Sequence, residues 1–325
     1  MKSNRTFSNK GGTERYGRAS DIRGLSVARR RVLNIWFAIA VGLTVGPRAG
    51  TLAGPAKVRR QYVAGRFGHV HLHCAGKVRE GGRAPLICMH MSPFSALIYE
   101  PLLSIMGADR FAVAVDTPGF GLSDPTPSQP SIVDYANAMG DVIDVLGLGQ
   151  VDVMGYHTGS ETCIELARQR PKQIRRIVMV SAPHWTEEER VSRLNSAQAP
   201  EIHEDGSHLT EWWQESVYWS MEGRTLDMLA RVFPARVRNP HIMHWGHRAA
   251  YGYSLQEMLP EVDKPILVLN PEDDLWDRTP LIRPYLRHSA SRIQDLPGWN
   301  HGFLDVKTVE TAELLKAFLD GPLGL

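Results

Sequence analysis

Residues 150–163, QVDVMGYHTGSETC, decide how this chain is read. Val151, Asp152, Val153 and Met154 make a short, largely β-branched and apolar run of buried-strand type. From Ser160 through Glu161, Cys163, Ile164, Leu166 and Ala167 the pattern turns helical. Between them lie Gly155, Tyr156, His157, Thr158 and Gly159. A strand that becomes a helix over so few residues brings the two backbones almost into contact, so the positions two before and two after the apex must be small. Gly155 and Gly159 satisfy that condition about His157. The apex residue is then held in a strained conformation with its side chain pointing out of the sheet.

Working outward, residues 60–64 and 69–74 read as a hairpin pair of strands. Residues 85–90 (PLICMH) and 111–116 (FAVAVD) are continuous apolar runs of the kind found in central parallel strands. Residues 117–125 form a loop, and Ser131 with Asp134 gives a capping-box-like start to a helix running to about Leu146. Further strands are expected at 174–181 (IRRIVMVS), 265–270 (PILVLN) and 292–296, with a closing helix over 306–319. Strands alternating with helices imply an α/β fold, a mostly parallel central sheet with helices on both faces. Residues 184–260 break the alternation. They are rich in Trp, His and Glu and helical in period over 209–233, and they read as a helical lid inserted into a core of residues 57–183 and 261–325. His69, His71 and His73 share one strand face, expected to be solvated. His241, His244 and His247 repeat at i, i+3, i+6 and are expected along one helical face, as pocket lining or solvated surface.

The net charge of +2 hides an asymmetry. Residues 1–60 carry 13 Lys/Arg against 2 Asp/Glu, a charge of +11 that leaves −9 for the rest. An acidic body argues against nucleic acid as a partner. Residues 1–56 read as a disordered basic segment followed by an export signal: Arg29, Arg30 and Arg31, an apolar run over 32–46, then small residues. The arginines resemble a twin-arginine signal, which implies export to the periplasm with no stable membrane span afterwards; without a functional signal the protein would stay in the cytoplasm. Cys74, Cys88 and Cys163, odd in number and set in expected strands and helices, read as buried, inert thiols.

Four markers in order resemble the lidded branch of the α/β-hydrolase fold superfamily over 63–319, roughly four-fifths of the chain. Residues 88–93 (CMHMSP) are similar to the loop after the third strand that supplies one oxyanion-hole amide. Residues 116–124 (DTPGFGLSD) are similar to the family's D-x-P-G-x-G-x-S loop. Residues 155–159 resemble the nucleophile elbow, G-x-S-x-G, with His157 at the apex in place of Ser. Residues 270–274 (NPEDD) and 298–302 (GWNHG) fall where the family keeps its acid and its histidine.

The resemblance implies Asp274 as the acid, with Asp273 its neighbouring candidate, and His301 as the base. It implies the backbone N–H groups of Ser92 and Thr158 as oxyanion donors; Pro93 has no N–H, and Met91 stands where Gly is usual. Met91, Tyr156, Trp212, Trp245 and Trp299 are the expected substrate contacts. An imidazole apex leaves three readings open. His157 could be a nucleophile forming an acyl-imidazole, a general base in hydrolysis or in lyase or isomerase chemistry, or part of a silent pocket that only binds. Thr158 and Ser160 are not presented as an apex residue is. The Asp apex of epoxide hydrolases and haloalkane dehalogenases is absent, which argues against both chemistries. The expectation is a small-molecule hydrolase acting on an ester-like carbonyl bond, without cofactor or metal, although His157, Asp274, His301 and, beside them, His90 are zinc-competent ligand types. Oligomeric state is not legible.

Overall fold

The computed structural model describes residues 54–322, so the export signal expected within residues 1–56 lies almost wholly outside the described residues. Eight strands form one sheet: β1 (Arg59–Gly65), β2 (Gly68–Ala75), β3 (Leu86–Met89), β4 (Ala112–Val115), β5 (Val151–Tyr156), β6 (Ile174–Val180), β7 (Ile266–Pro271) and β8 (Arg292–Leu296). Their order is β1-β2-β4-β3-β5-β6-β7-β8. The β1–β2 hairpin joins β4 antiparallel, and every later pairing is parallel. The central strands β3, β4, β5 and β7 are buried along their whole length, as continuous apolar runs require when both faces are covered. Edge strand β1 is largely exposed and begins with Arg59 and Arg60, which discourages pairing with another sheet.

The helices are α1 (Glu100–Met106), α2 (Ile132–Val145), α3 (Thr158–Gln169), α4 (Glu187–Ser196), α5 (Ser207–Tyr218), α6 (Leu226–Val237), α7 (Trp245–Tyr251), α8 (Leu255–Met258), α9 (Phe303–Val306) and α10 (Thr308–Asp320). Alternate residues of each strand feed two cores. Ile87, Met89 and Val153 pack with α2 and α3 on one face, while Leu86, Cys88 and Met154 pack with α1 and α10 on the other. The capping box at Ser131 forms: its hydroxyl accepts from Asp134 N–H while the Asp134 carboxylate accepts from Ser131 N–H. All three cysteines are free and buried. Burial pushes the Cys74 thiol up to about 11, and Cys88 and Cys163 also stand above the ordinary thiol value.

Helices α4 to α8 all lie between β6 and β7. The helical period over 209–233 resolves into two helices, because Gly223 at φ 88° and the N-cap Thr225 break the chain between α5 and α6. Helix α7 starts only at Trp245, so His241 and His244 do not share a helical face with His247. The strand histidines also depart from expectation. His69 is exposed, but His71 and His73 are buried, with Nδ1 of His71 2.8 Å from Asp116 Oδ2 and Nδ1 of His73 2.9 Å from Glu100 Oε1. Strand β2 is interior, between β1 and β4, and α1 covers that face, so the imidazoles are paired with carboxylates rather than water.

The glycines around residue 157 are the tightest backbone approach near the sheet centre. A Cβ on Gly155 would lie 2.1 Å from the Gly159 carbonyl oxygen, and one on Gly159 would lie 2.2 Å from that of Met89. Gly159→Ala should therefore cost about 3 kcal/mol or more, as overpacking against rigid backbone does. Urea denaturation measures it, and an unchanged midpoint would mean that strand and helix are not pressed together.

Candidate active site

Strand β5 ends at Tyr156 and α3 begins at Thr158, leaving His157 alone at the bend with φ 48° and ψ −113°. This is left-handed backbone that only a tightly determined turn imposes on a residue with a Cβ. His157 N–H donates to the Val180 carbonyl at 2.9 Å, and the His157 carbonyl accepts from Ser160 N–H at 2.7 Å, so the bend is held from both sides. Its side chain is 14% exposed.

The imidazole meets two consecutive carboxylates from the loop after β7. Nε2 of His157 lies 3.1 Å from Asp273 Oδ2 and 3.7 Å from Asp274 Oδ1. His301, from the loop after β8, places its Nε2 3.1 Å from the same Asp274 oxygen. The two imidazoles do not bond to each other; they flank one carboxylate oxygen, with ring centroids 5.5 Å apart. The structure thus brings together His157, Asp274 and His301, and adds Asp273.

Asp273 is the buried member of the pair. Oδ2 accepts from the Ser181 hydroxyl at 2.6 Å and from the Tyr156 hydroxyl at 3.4 Å, and Oδ1 accepts from Leu275 N–H at 2.9 Å. Ser181 was not legible as a site residue. It ends β6 with φ 54°, the second non-glycine residue in left-handed backbone, and nothing in IRRIVMVS announces it. The Tyr156 hydroxyl also lies 3.3 Å from His301 Nδ1. Tyr156 is therefore behind the imidazoles, packed between them and Phe303.

A cavity opens onto His157, Asp274 and His301. Met91, Ser92, Pro93 and Phe94 line it from the sheet side, and Ser216, Trp219, Arg236 and His247 from the inserted segment. Of the aromatics expected as substrate contacts, Tyr156, Trp212, Trp245 and Trp299 do not line it. Trp212 packs on His208 and Trp299 on Phe303, each half-buried away from the cavity. Trp219 takes the position instead, edge-on to His301. Among the described residues neither Ser92 N–H nor Thr158 N–H donates to a protein acceptor. Ser160 is unavailable, its hydroxyl committed to the Gly155 and Val180 carbonyls. His90 is structural: Nε2 accepts from Thr117 N–H at 3.0 Å and Nδ1 faces the Met91 carbonyl at 2.9 Å.

The alpha/beta hydrolase fold family matches residues 88–215. The enol-lactonase of Burkholderia xenovorans superposes with a TM-score of 0.67 over 80% of this chain and 99% of its own, at 16% identity. The chain has the α/β-hydrolase fold. Among curated α/β-hydrolase relatives, 2-(acetamidomethylene)succinate hydrolase of Mesorhizobium japonicum is 31% identical over 121 residues, 37% of this chain and 43% of that protein. Haloalkane dehalogenase 2 of Mycobacterium bovis is 31% identical over 110 residues, 33% of this chain and 38% of its own. The chain spans less than half the length of these two relatives.

Burial works against the charged form of His157, yet the Asp274 and Asp273 carboxylates outweigh it and hold its pKa above the ordinary 6.5. Burial also opposes the Asp274 carboxylate, and His157 and His301 reverse that, holding it below the ordinary 3.8. His247, on the opposite wall, is pushed down to about 4 by burial and by the His157 charge. A raised imidazole pKa stabilises the fold fully below about 6.5 and that contribution is lost as pH rises through the folded value; the depressed carboxylate contributes above about 3.8 and is lost on acidification. His157 should therefore titrate above 6.5 by NMR of its ring protons. Asp274→Asn should lower that value, since burial then has only Asp273 against it. An unmoved titration in the variant would break the assigned coupling.

Proposed function

We propose that this chain is a hydrolase of small molecules carrying an ester-like carbonyl bond, with His157 as the base. The observation that carries the reading is the apex imidazole, tied to a buried carboxylate at 3.1 Å and set beside two amides that donate to no protein acceptor. Relatives named as hydrolases on the same fold support the reaction class.

With Nε2–H donated to Asp273, the ring keeps its lone pair on Nδ1. That nitrogen takes a proton from water as the water oxygen attacks the carbonyl carbon. The developing oxyanion is received by the N–H groups of Ser92 and Thr158. The imidazolium, stabilised by Asp273 and Asp274, then returns the proton to the leaving alcohol. His301 shares Asp274 and keeps that carboxylate oriented toward the apex. Helices α5 to α7 act as a lid, since they supply one wall of the cavity. Acting on a substrate of this kind needs no partner beyond the small molecule itself. The basic N-terminal segment fits an exported, periplasmic protein.

Short acyl esters of p-nitrophenol test this reading. His157→Gln should lower kcat by about 10²–10⁴-fold, the range for loss of a positioned base. His301→Ala should lower it less. Wild-type turnover retained in His157→Gln would sink the proposal.

A further inference from the structure

The arrangement around His157 has a property that proton transfer does not explain. Four potential donor atoms, one each from His157, Asp273, Asp274 and His301, lie within 4.8 Å of one another. Two of the separations are 3.1 Å and a third is 3.7 Å. Donors bonded to zinc at ~2.0–2.1 Å in a tetrahedron stand ~3.3–3.4 Å apart, so three of the six separations are already close to those of a coordination shell. Among the described residues no Lys or Arg pairs with either carboxylate, so two adjacent negative charges, one of them fully buried, rely on the imidazoles alone.

We propose that His157 Nε2, Asp273 Oδ2, Asp274 Oδ1 and His301 Nε2 form a binding site for a divalent transition-metal ion of zinc type. The two carboxylates balance the ion's charge, and the imidazoles supply the nitrogen donors that such ions prefer. The surroundings fit an outer shell. Ser181 O–H and Leu275 N–H hold Asp273, and with the His301 Nε2 lone pair on the ion its Nδ1–H is donated to Tyr156, whose hydroxyl reaches Asp273. Asp274, 44% exposed, leaves the ion open to the cavity. The other cluster of similar composition, His71, His73 and Asp116, differs. Asp116 already accepts from Ala96 N–H, Leu122 N–H and His71, which leaves little lone-pair capacity for an ion.

This site goes beyond the hydrolase reading and constrains it. An ion on His157 Nε2 fixes the ring with Nδ1–H, so metal occupancy and the base role exclude each other, and a bound ion silences ester hydrolysis. Tag-free full-length protein, stripped with EDTA, is titrated with Co²⁺ and followed by visible absorption. The expected result is one equivalent bound with the strong d–d bands of four-coordinate cobalt, displaced by Zn²⁺. His301→Gln and Asp274→Asn should abolish the bands, and Ser181→Ala should weaken binding by about tenfold, as loss of an outer-shell partner does. Circular dichroism checks that each variant folds. No bands with the wild type, or unchanged bands in both His301→Gln and Asp274→Asn, overturns the site. The ester assay separates the two readings. Turnover that falls with Zn²⁺ and returns with EDTA supports both. Turnover that appears only with metal keeps the site and removes the base role of His157. Cobalt binding in a protein inactive in every form keeps the site and removes the hydrolase reading.

Discussion

The carbonyl oxygen of Gly159 lies 2.1 Å from the point where a Cβ on residue 155 would stand, and everything chemical in the molecule follows from that approach. Strand β5 and helix α3 can come so close only because neither residue has a side chain, and the bend between them must pass through left-handed backbone at His157. The strain is held by ordinary forces around it: β3 buried along its length on one side, β6 buried from Ile177 to Val180 on the other, a backbone bond from His157 N–H to Val180, and an N-terminal turn that uses the His157 carbonyl. A flexible loop could carry an imidazole to the same place but would leave it free to turn away. Here the direction of the side chain is a property of the sheet.

The partners are delivered by the same geometry two and three strands further along. Parallel strands end on the same side, so the loops after β7 and β8 meet the elbow without any long excursion. Those loops are stitched to each other. Glu272 N–H donates to the Trp299 carbonyl at 2.6 Å, Gly298 N–H to the Glu272 carboxylate at 2.8 Å, and Asn270 to Asp295 at 2.9 Å. The inserted segment adds a fourth tie, since Met221 N–H donates to the His301 carbonyl at 2.8 Å. Arg224 crosses Gly302 to reach Asp305, where any Cβ on residue 302 would collide with it. The segment that walls the cavity thereby also holds a residue that faces it.

Much of this was legible because it depends on local signals. Buried parallel strands must be apolar throughout, so PLICMH, FAVAVD and PILVLN declared themselves, and the elbow was marked by two glycines at fixed spacing. His157 could be placed because it follows a strand directly between two glycines, and Asp274 and His301 because their segments resemble the family's acid and histidine loops. What escaped depends on distant packing. Nothing local says that His71 and His73 are buried against Glu100 and Asp116, because their alternation with Val70 and Leu72 is equally that of a half-exposed strand. Trp212 and Trp245 sit away from the cavity for a related reason, since an aromatic in an inserted helix can face either a core or a cavity, and Trp299 turns from its loop onto Phe303. Asp273 stands in the sequence only as the neighbouring candidate, because Asp274 fits the family spacing better, and Ser181 is not legible because a serine after a strand carries no signal of its φ.

The pairing of Asp273 with Asp274 follows from the imidazole at the apex. An alcohol there would be neutral throughout a reaction cycle until its proton was removed, and one carboxylate, acting through a histidine, would be enough to orient that event. An imidazole is different, because it changes charge itself and does so in a place where burial opposes the charged form. The Asp274 charge opposes that penalty most, even though its carboxylate is half-exposed. A second one, fully buried and fastened by Ser181, Leu275 and Tyr156, acts at lower effective dielectric and from a fixed distance. The left-handed turn at Ser181 is then intelligible as part of the same device: it ends β6 where its hydroxyl reaches the carboxylate that the imidazole depends on.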